Sequence, residues 1–236
     1  MKVSRLIVLG GCHVNGYPVG QRNSFVSLLA SQLGVPETEC VVIPQVVVKR
    51  LSTALDKVGN LSDQDLVILQ LGSFETLAPL VFGRVHDSAS VNQITGVSAL
   101  ESRAGWFLRL LIPLVRLTGN ILLFVIRELM NRPAFSTQVF GRQISDPVIS
   151  RALSHAGVVV VIGALPTRVW VRNIYRRRAN GVLARFAERE KFVFVDYFKI
   201  TDGAPISAIT VDPIHLNKNG HKILGEEIFS LCVNDF

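Results

Sequence analysis

Short apolar, β-branched runs that end in glycine recur along the chain, each followed by a stretch with helical spacing. This alternation restricts the fold more than any other feature. Leu6 to Leu9 runs into Gly10 and Gly11, the form of a buried parallel strand entering a loop. Apolar positions over 22–34 recur at helical spacing and stop at Gly34, with Pro36 beyond. Val41 to Ile43 predicts a second strand, and 48–58 an amphipathic helix. Leu66 to Leu71 predicts a third strand ending at Gly72, and Val158 to Ile162 a fourth, followed by Gly163 and Pro166. A basic helix is expected over 173–190, a fifth strand at Phe192 to Val195 and a closing helix over 219–231. Strands separated by helices pair in parallel through right-handed crossovers. The expectation is an α/β fold: a three-layer α/β/α sandwich around a five-stranded parallel sheet. Ligands bind such sheets beyond the carboxyl ends of the strands.

The chain has 236 residues, 49% of them hydrophobic and 18% charged, which fits one domain over 1–236 with a sizeable core. One stretch interrupts the alternation. More than eighty residues separate the third and fourth strands, and they read as a helical insertion at about 78–150. Its centre, Trp106 to Met130, is strongly apolar. Arg109, Arg116 and Arg127 are spaced by 7 and 11, so a continuous helix would carry them as one polar stripe, but Pro113 and Gly119 kink or split it. A membrane span needs about 20 apolar residues, and the longest uncharged run here is only Leu117 to Ile126. The expected role is packing, on the domain or on a second copy through 100–135 to give a homodimer. The alternatives are a wall for an acyl chain and a peripheral membrane helix.

Lys and Arg number 25 against 18 Asp and Glu, a formal charge of +7. That admits an anionic partner, but the basic residues are spread out and nucleic acid is not expected. The three cysteines, Cys12, Cys40 and Cys232, are too few and too scattered for a disulfide framework or a zinc site. A reduced, cytoplasmic protein without a metal is the expectation. Ile7 to Leu9 is too short for a signal-peptide core.

Two stretches can carry chemistry. The loop Gly10 to Gly16 sets Cys12 at the active edge of the sheet, beside a glycine pair that lets backbone approach a ligand. A cysteine is a good nucleophile only as thiolate, so it needs a base or a cationic neighbour. Otherwise it is a small loop hydrophobe. Asp212 stands three residues before His215, ahead of the last helix. That spacing lets the carboxylate fix the imidazole tautomer while the other ring nitrogen faces a nucleophile. It also suits helix capping beside a surface histidine. With strands ordered 2-1-3-4-5, the loop before the last helix returns to the edge that holds Cys12.

Taken together, these stretches resemble the SGNH (GDSL-type) hydrolases. Gly10 to His13 is similar to the family's Gly-Asp-Ser-Leu block, and Leu71 to Glu75 lies where the family has Gly-x-Asn-Asp. Val158 to Pro166 and the helix to Asp196 fit the fourth unit, and Asp212 to Asn217 with Gly220-His221 closely matches the final Asp-x-x-His block. The resemblance covers the chain except about 78–150. It implies a nucleophile at Cys12 in place of serine, His215 as base and Asp212 as its orienter. It also implies an oxyanion hole from backbone N–H groups at Cys12 and Gly72, within a site that includes Gly11. The family's asparagine position holds Phe74, and Asn15 is the substitute donor nearest in sequence. Losing one such donor costs about 10²–10³ in rate.

The resemblance leaves two functional readings. One is hydrolysis or transfer of an acyl group from a small ester or thioester through a Cys12 thioester. It needs no resident cofactor, with acyl-CoA or an acyl carrier protein as candidate donors. The other is a non-catalytic binding or scaffolding protein on the same fold. A low-pKa Cys12 beside a pocket separates them, since a decayed site leaves the thiol unreactive or buried. His13 adjoins the nucleophile and can tune it, but the expectation is that it points away along the loop. Arg172, Arg176, Arg177 and Arg178 read as a solvated helix face, with a phosphate clamp for an acyl carrier as the functional alternative. His86, His155 and His221 show no partner pattern.

Overall fold

A computed structural model describes residues 3–76 and 135–234. Five parallel strands form one sheet in the order β2-β1-β3-β4-β5: β1 (Arg5–Gly10), β2 (Cys40–Pro44), β3 (Asp65–Gln70), β4 (Val158–Ile162) and β5 (Val193–Val195). The three central strands are buried almost end to end. That is why their sequences are continuously apolar rather than alternating, since helices cover both faces.

The helices are α1 (Phe25–Leu33), α2 (Leu51–Val58), α3 (Thr137–Ile144), α4 (Pro147–Leu153), α5 (Trp170–Glu190), α6 (Tyr197–Ile200), α7 (Ile206–Ile209) and α8 (Lys218–Asn234). The pleat divides the core. Leu6, Val8, Leu66, Ile68, Val158 and Val160 pack with Phe25 and Leu29 of α1 and Leu224 and Ile228 of α8. Their alternates Ile7, Leu9, Val67, Leu69, Val159 and Val161 are equally buried and face the other layer. There α2 packs on α4, and α3 packs on α5. The three-layer sandwich expected from the sequence is therefore the fold. The short helices α6 and α7 carry no periodic signal and are additions to that reading. Trp106 to Met130, with its three arginines, lies outside the described residues, as does most of the 78–150 stretch. Among the described residues, no helix is long and apolar enough to cross a membrane.

The amino edge of the sheet is held by an ion pair. Arg5 grips buried Asp65 with two bonds, Nε to Oδ1 at 3.1 Å and Nη2 to Oδ2 at 2.5 Å, and the Ser62 N–H donates to Oδ2 at 2.8 Å. Burial pushes the Asp65 carboxyl up, but Arg5 and Ser62 outweigh it and leave the group below its ordinary value. A depressed carboxyl adds stability above its unfolded pKa and loses it as pH falls through the folded one. Asp65→Asn removes the charge and leaves Arg5 without a counterion. It should cost about 1–2 kcal/mol in urea melts at pH 7, and the penalty should shrink towards pH 3. A penalty independent of pH would mean that the charge is not what matters there.

Candidate active site

The carboxyl edge gathers the loops after β1, β3 and β4 and the segment before α8. After β1 the chain passes close to Gln70 at the end of β3. A methyl on Gly10 would sit 2.6 Å from the Gln70 carbonyl oxygen, and one on Gly11 would sit 2.7 Å from Gln70 Oε1. Glycine is required at Gly10, where the methyl would meet backbone, while at Gly11 the end of the Gln70 side chain would have to move. Gln70, buried itself, accepts from the Gly11 N–H at 2.9 Å and donates through Nε2 to Ser73 Oγ at 2.9 Å. It thereby ties the Cys12 loop to the β3 loop. The Gly11 N–H is engaged in that bond.

Cys12 opens a single 3-10 turn, Cys12–Asn15, closed by Gly16 at φ 72°. The thiol is half-buried, and its side-chain hydrogen-bond neighbour is His13 Nδ1, at 3.8 Å, rather than His215. Burial pushes the thiol up to about 11, although the N–H groups of Cys12 and His13 and the positive field of Arg176 pull it down. Burial thus favours the protonated thiol at pH 7.

Asp212 and His215 form the pair that their spacing implies. Asp212 Oδ2 lies 2.7 Å from His215 Nδ1, while Oδ1 accepts the N–H groups of Ile214 and His215, each at 2.7 Å. Burial raises the Asp212 carboxyl, but these N–H groups and the imidazole more than offset it and hold the group below its ordinary value. A carboxylate bonded this way fixes the proton of His215 on Nδ1 and leaves Nε2 as the free acceptor. The segment is pinned on both sides. Arg168 donates to the Thr210 hydroxyl and carbonyl at 3.0 and 2.8 Å, Asn217 caps α8 by accepting the Gly220 N–H at 2.9 Å, and the Tyr197 hydroxyl donates to the Gly220 carbonyl at 2.7 Å.

His13 does not point away along the loop. It is 1% exposed, with its ring centroid 5.6 Å from that of His215 and 6.0 Å from that of His221. Burial, with His221, His215 and Arg176 close by, holds its pKa well below the usual histidine value. Tyr17 packs edge-on against His215, centroids 4.7 Å apart. His221 has a partner after all: Nδ1 accepts the Phe25 N–H at 3.2 Å, one of the orphan amides at the start of α1. Burial brings its pKa down to about 4.

Asn15 is exposed and Phe74 half-buried. Gly72 takes a left-handed conformation at φ 84°, and a methyl added there would lie 3.3 Å from Ala164 Cβ and 3.4 Å from Ala179 Cβ. Its N–H lies against the Glu75 carboxylate, which also accepts the Val48 N–H at 2.7 Å. Among the described residues, no cluster of three His, Cys, Asp or Glu side chains is arranged to hold a metal.

The arginine run divides in two. Arg177 and Arg178 are exposed and stack over Phe198 and Tyr175, while Arg176 is fully buried and Arg172 half-buried. Neither a uniformly solvated face nor a four-arginine clamp survives.

No family model matches the sequence, and no curated protein matches it by sequence. Solved structures do match in fold. A member of the lipolytic G-D-S-L family from Veillonella parvula is 12% identical with a TM-score of 0.61, over 98% of this chain and 100% of that one. A chain from Slackia heliotrinireducens, assigned to the SGNH hydrolases, is 13% identical with a TM-score of 0.56, over 97% and 98%. A variant of the acetylxylan esterase Axe2 from Geobacillus stearothermophilus is 12% identical with a TM-score of 0.56, over 98% and 95%. The catalytic mutants of Axe2 replace a serine, a histidine and an aspartate, and the aspartate stands three positions before the histidine. With its strand order and the loops that meet at its carboxyl edge, this chain has the fold of the SGNH (GDSL-type) hydrolases.

Proposed function

We propose that the protein is an acyl-group hydrolase or acyltransferase that works through Cys12, with His215 as base and Asp212 as its orienter. The observation that carries this reading is the 2.7 Å bond from His215 Nδ1 to Asp212 Oδ2, at the sheet edge that also holds Cys12. The same aspartate-to-histidine spacing among the catalytic mutants of Axe2 supports it. Because the thiol rests protonated, activation is of the serine-hydrolase kind: the proton leaves during attack, not before it. Sγ bonds to the acyl carbon of an ester or thioester as its proton passes to His215 Nε2, and the carbon–leaving-group bond breaks as that proton passes on. Water or an acceptor alcohol then attacks the thioester, giving its proton to His215 Nε2, which passes it to Sγ as the carbon–sulfur bond breaks. Catalytic hydrogen bonds are often long in an empty site and tighten when substrate binds.

A second reading, a non-catalytic binding protein, is favoured by one observation: burial pushes the Cys12 thiol up to about 11. Intact-protein mass after rapid quench with activated esters and acyl thioesters decides between them. An acyl increment in the wild type that is absent in Cys12→Ala is the expected result. No increment and no Cys12-dependent turnover across esters and thioesters alike would favour the binding protein.

A further inference from the structure

Among the described residues Arg176 is the largest fully buried side chain, and none of their carboxylates pairs with it. Its Nη1 donates to the Leu165 carbonyl, three residues beyond β4 on the carboxyl edge, while Nε and Nη2 have no partner among the described residues. Arg172, one turn earlier on the same stripe of α5, leaves its own buried Nε unpartnered. The two cations repel, and that repulsion adds to burial in lowering Arg176 to about 9, so both remain charged at pH 7. The field of Arg176 reaches both Cys12 and His13. Both side chains rise from the first two turns of a 21-residue helix whose amino end lies at this edge, where the helix dipole favours an anion.

A buried guanidinium with two idle nitrogens beside a second cation is costly unless an anion completes it. An acid group carried by the ligand would compensate both charges from binding onward, whereas an oxyanion would do so only during the acyl-transfer steps.

We propose that Arg176 and Arg172 form an anion subsite, at the carboxyl edge that also holds Cys12, that receives a carboxylate or phosphate group carried by the substrate. Three unpartnered nitrogens suit a group with two or three oxygens. The exposed pair Arg177 and Arg178 is no part of this subsite, which therefore holds a compact acid group and not the diphosphate of an extended carrier. That the anion belongs to an acyl substrate rests on the proposed function; the anion site itself does not.

The test has two arms. In the first, succinate and inorganic phosphate are titrated calorimetrically into wild type, Arg176→Gln and Arg172→Gln, with no turnover required. The expected result is binding by the wild type that weakens at least ~10-fold in both variants. The anion that binds more tightly identifies the acid group. Arg172 is half-buried, so its variant tests the site even if Arg176→Gln fails to fold. No binding by the wild type at millimolar anion, or equal binding by the variants, overturns the subsite. In the second arm, kcat/KM is measured for a hemisuccinate ester and its neutral methyl diester. The acidic-to-neutral ratio should fall at least ~10-fold in Arg172→Gln. An equal loss on both esters would make the arginines structural and overturn the subsite while leaving the acyl chemistry standing. Anion binding without turnover of either ester would uphold the subsite and count against the proposed acyl chemistry.

Discussion

Asp212→Asn should lower Cys12-dependent acyl turnover by roughly 10³–10⁴-fold while leaving the fold nearly untouched. An asparagine in this loop can still accept the N–H groups of Ile214 and His215 through its oxygen, where Asp212 Oδ1 accepts both at 2.7 Å. Its amide nitrogen then takes the place of Oδ2, 2.7 Å from His215 Nδ1. Two donors cannot face each other, so Nδ1 turns acceptor, the ring proton moves to Nε2, and the nitrogen that must receive the Cys12 proton is blocked. The consequence is severe here because the thiol starts fully protonated, pushed up to about 11, and cannot attack unaided. His215→Ala removes the acceptor altogether and should match or exceed this loss, and the double variant should be little worse than His215→Ala alone. Turnover of Asp212→Asn within threefold of wild type would return the pair to its other reading, a loop cap beside a histidine. Thermal melts run on the same samples separate lost chemistry from lost fold.

The central strands β1, β3 and β4 were legible because burial on both faces leaves an uninterrupted apolar run, and each of the three runs into a glycine, Gly10, Gly72 and Gly163. Asp212 and His215 were legible because the pair is local, three residues apart, and its geometry follows from one turn of chain. What escaped is long-range and polar. Arg176 sits in a run of basic residues that reads as solvated, yet its helical phase places it on one stripe with Asn180, Leu183 and Ala187, all buried. Arg177 and Arg178 fall off that stripe and are exposed. Phase along α5, not charge density, held the signal. Gln70 offered a similar one, a lone polar residue at the end of a strand otherwise apolar from Leu66, and it joins two site loops. The thiol's raised pKa had no local sign. It arises from burial, which the Gly10 to Gly16 stretch does not reveal. His221 likewise gave no local indication, since its partner, the Phe25 N–H, lies 196 residues away in sequence.

That distant bond makes the fold acid-sensitive in a defined window. His221 is fully buried, stacks on the Phe25 ring at 6.1 Å and accepts the Phe25 amide, so only the neutral imidazole fits. Burial brings its pKa to about 4, against about 6.5 in the unfolded chain. Between those values the unfolded chain holds a proton that the folded protein does not, so stability is complete above pH 6.5 and falls as pH drops towards 4. Lowering the pH from 7.5 to 4.5 should therefore cost about 2–3 kcal/mol through His221 alone. His13, held neutral by burial beside His221, His215 and Arg176, adds to the loss in the same direction. The depressed carboxyls Asp65 and Asp212 contribute only below their unfolded pKa near 4, so they do not share this window. Urea melts at pH 7.5 and 4.5 measure the drop, and His221→Gln, whose side-chain oxygen can still accept the Phe25 N–H, should remove the 2–3 kcal/mol assigned to this residue. An equal drop in wild type and His221→Gln would mean that His221 takes up its proton in the folded protein near the ordinary pKa. The contact between α1 and α8 would then tolerate a charge that its burial should forbid.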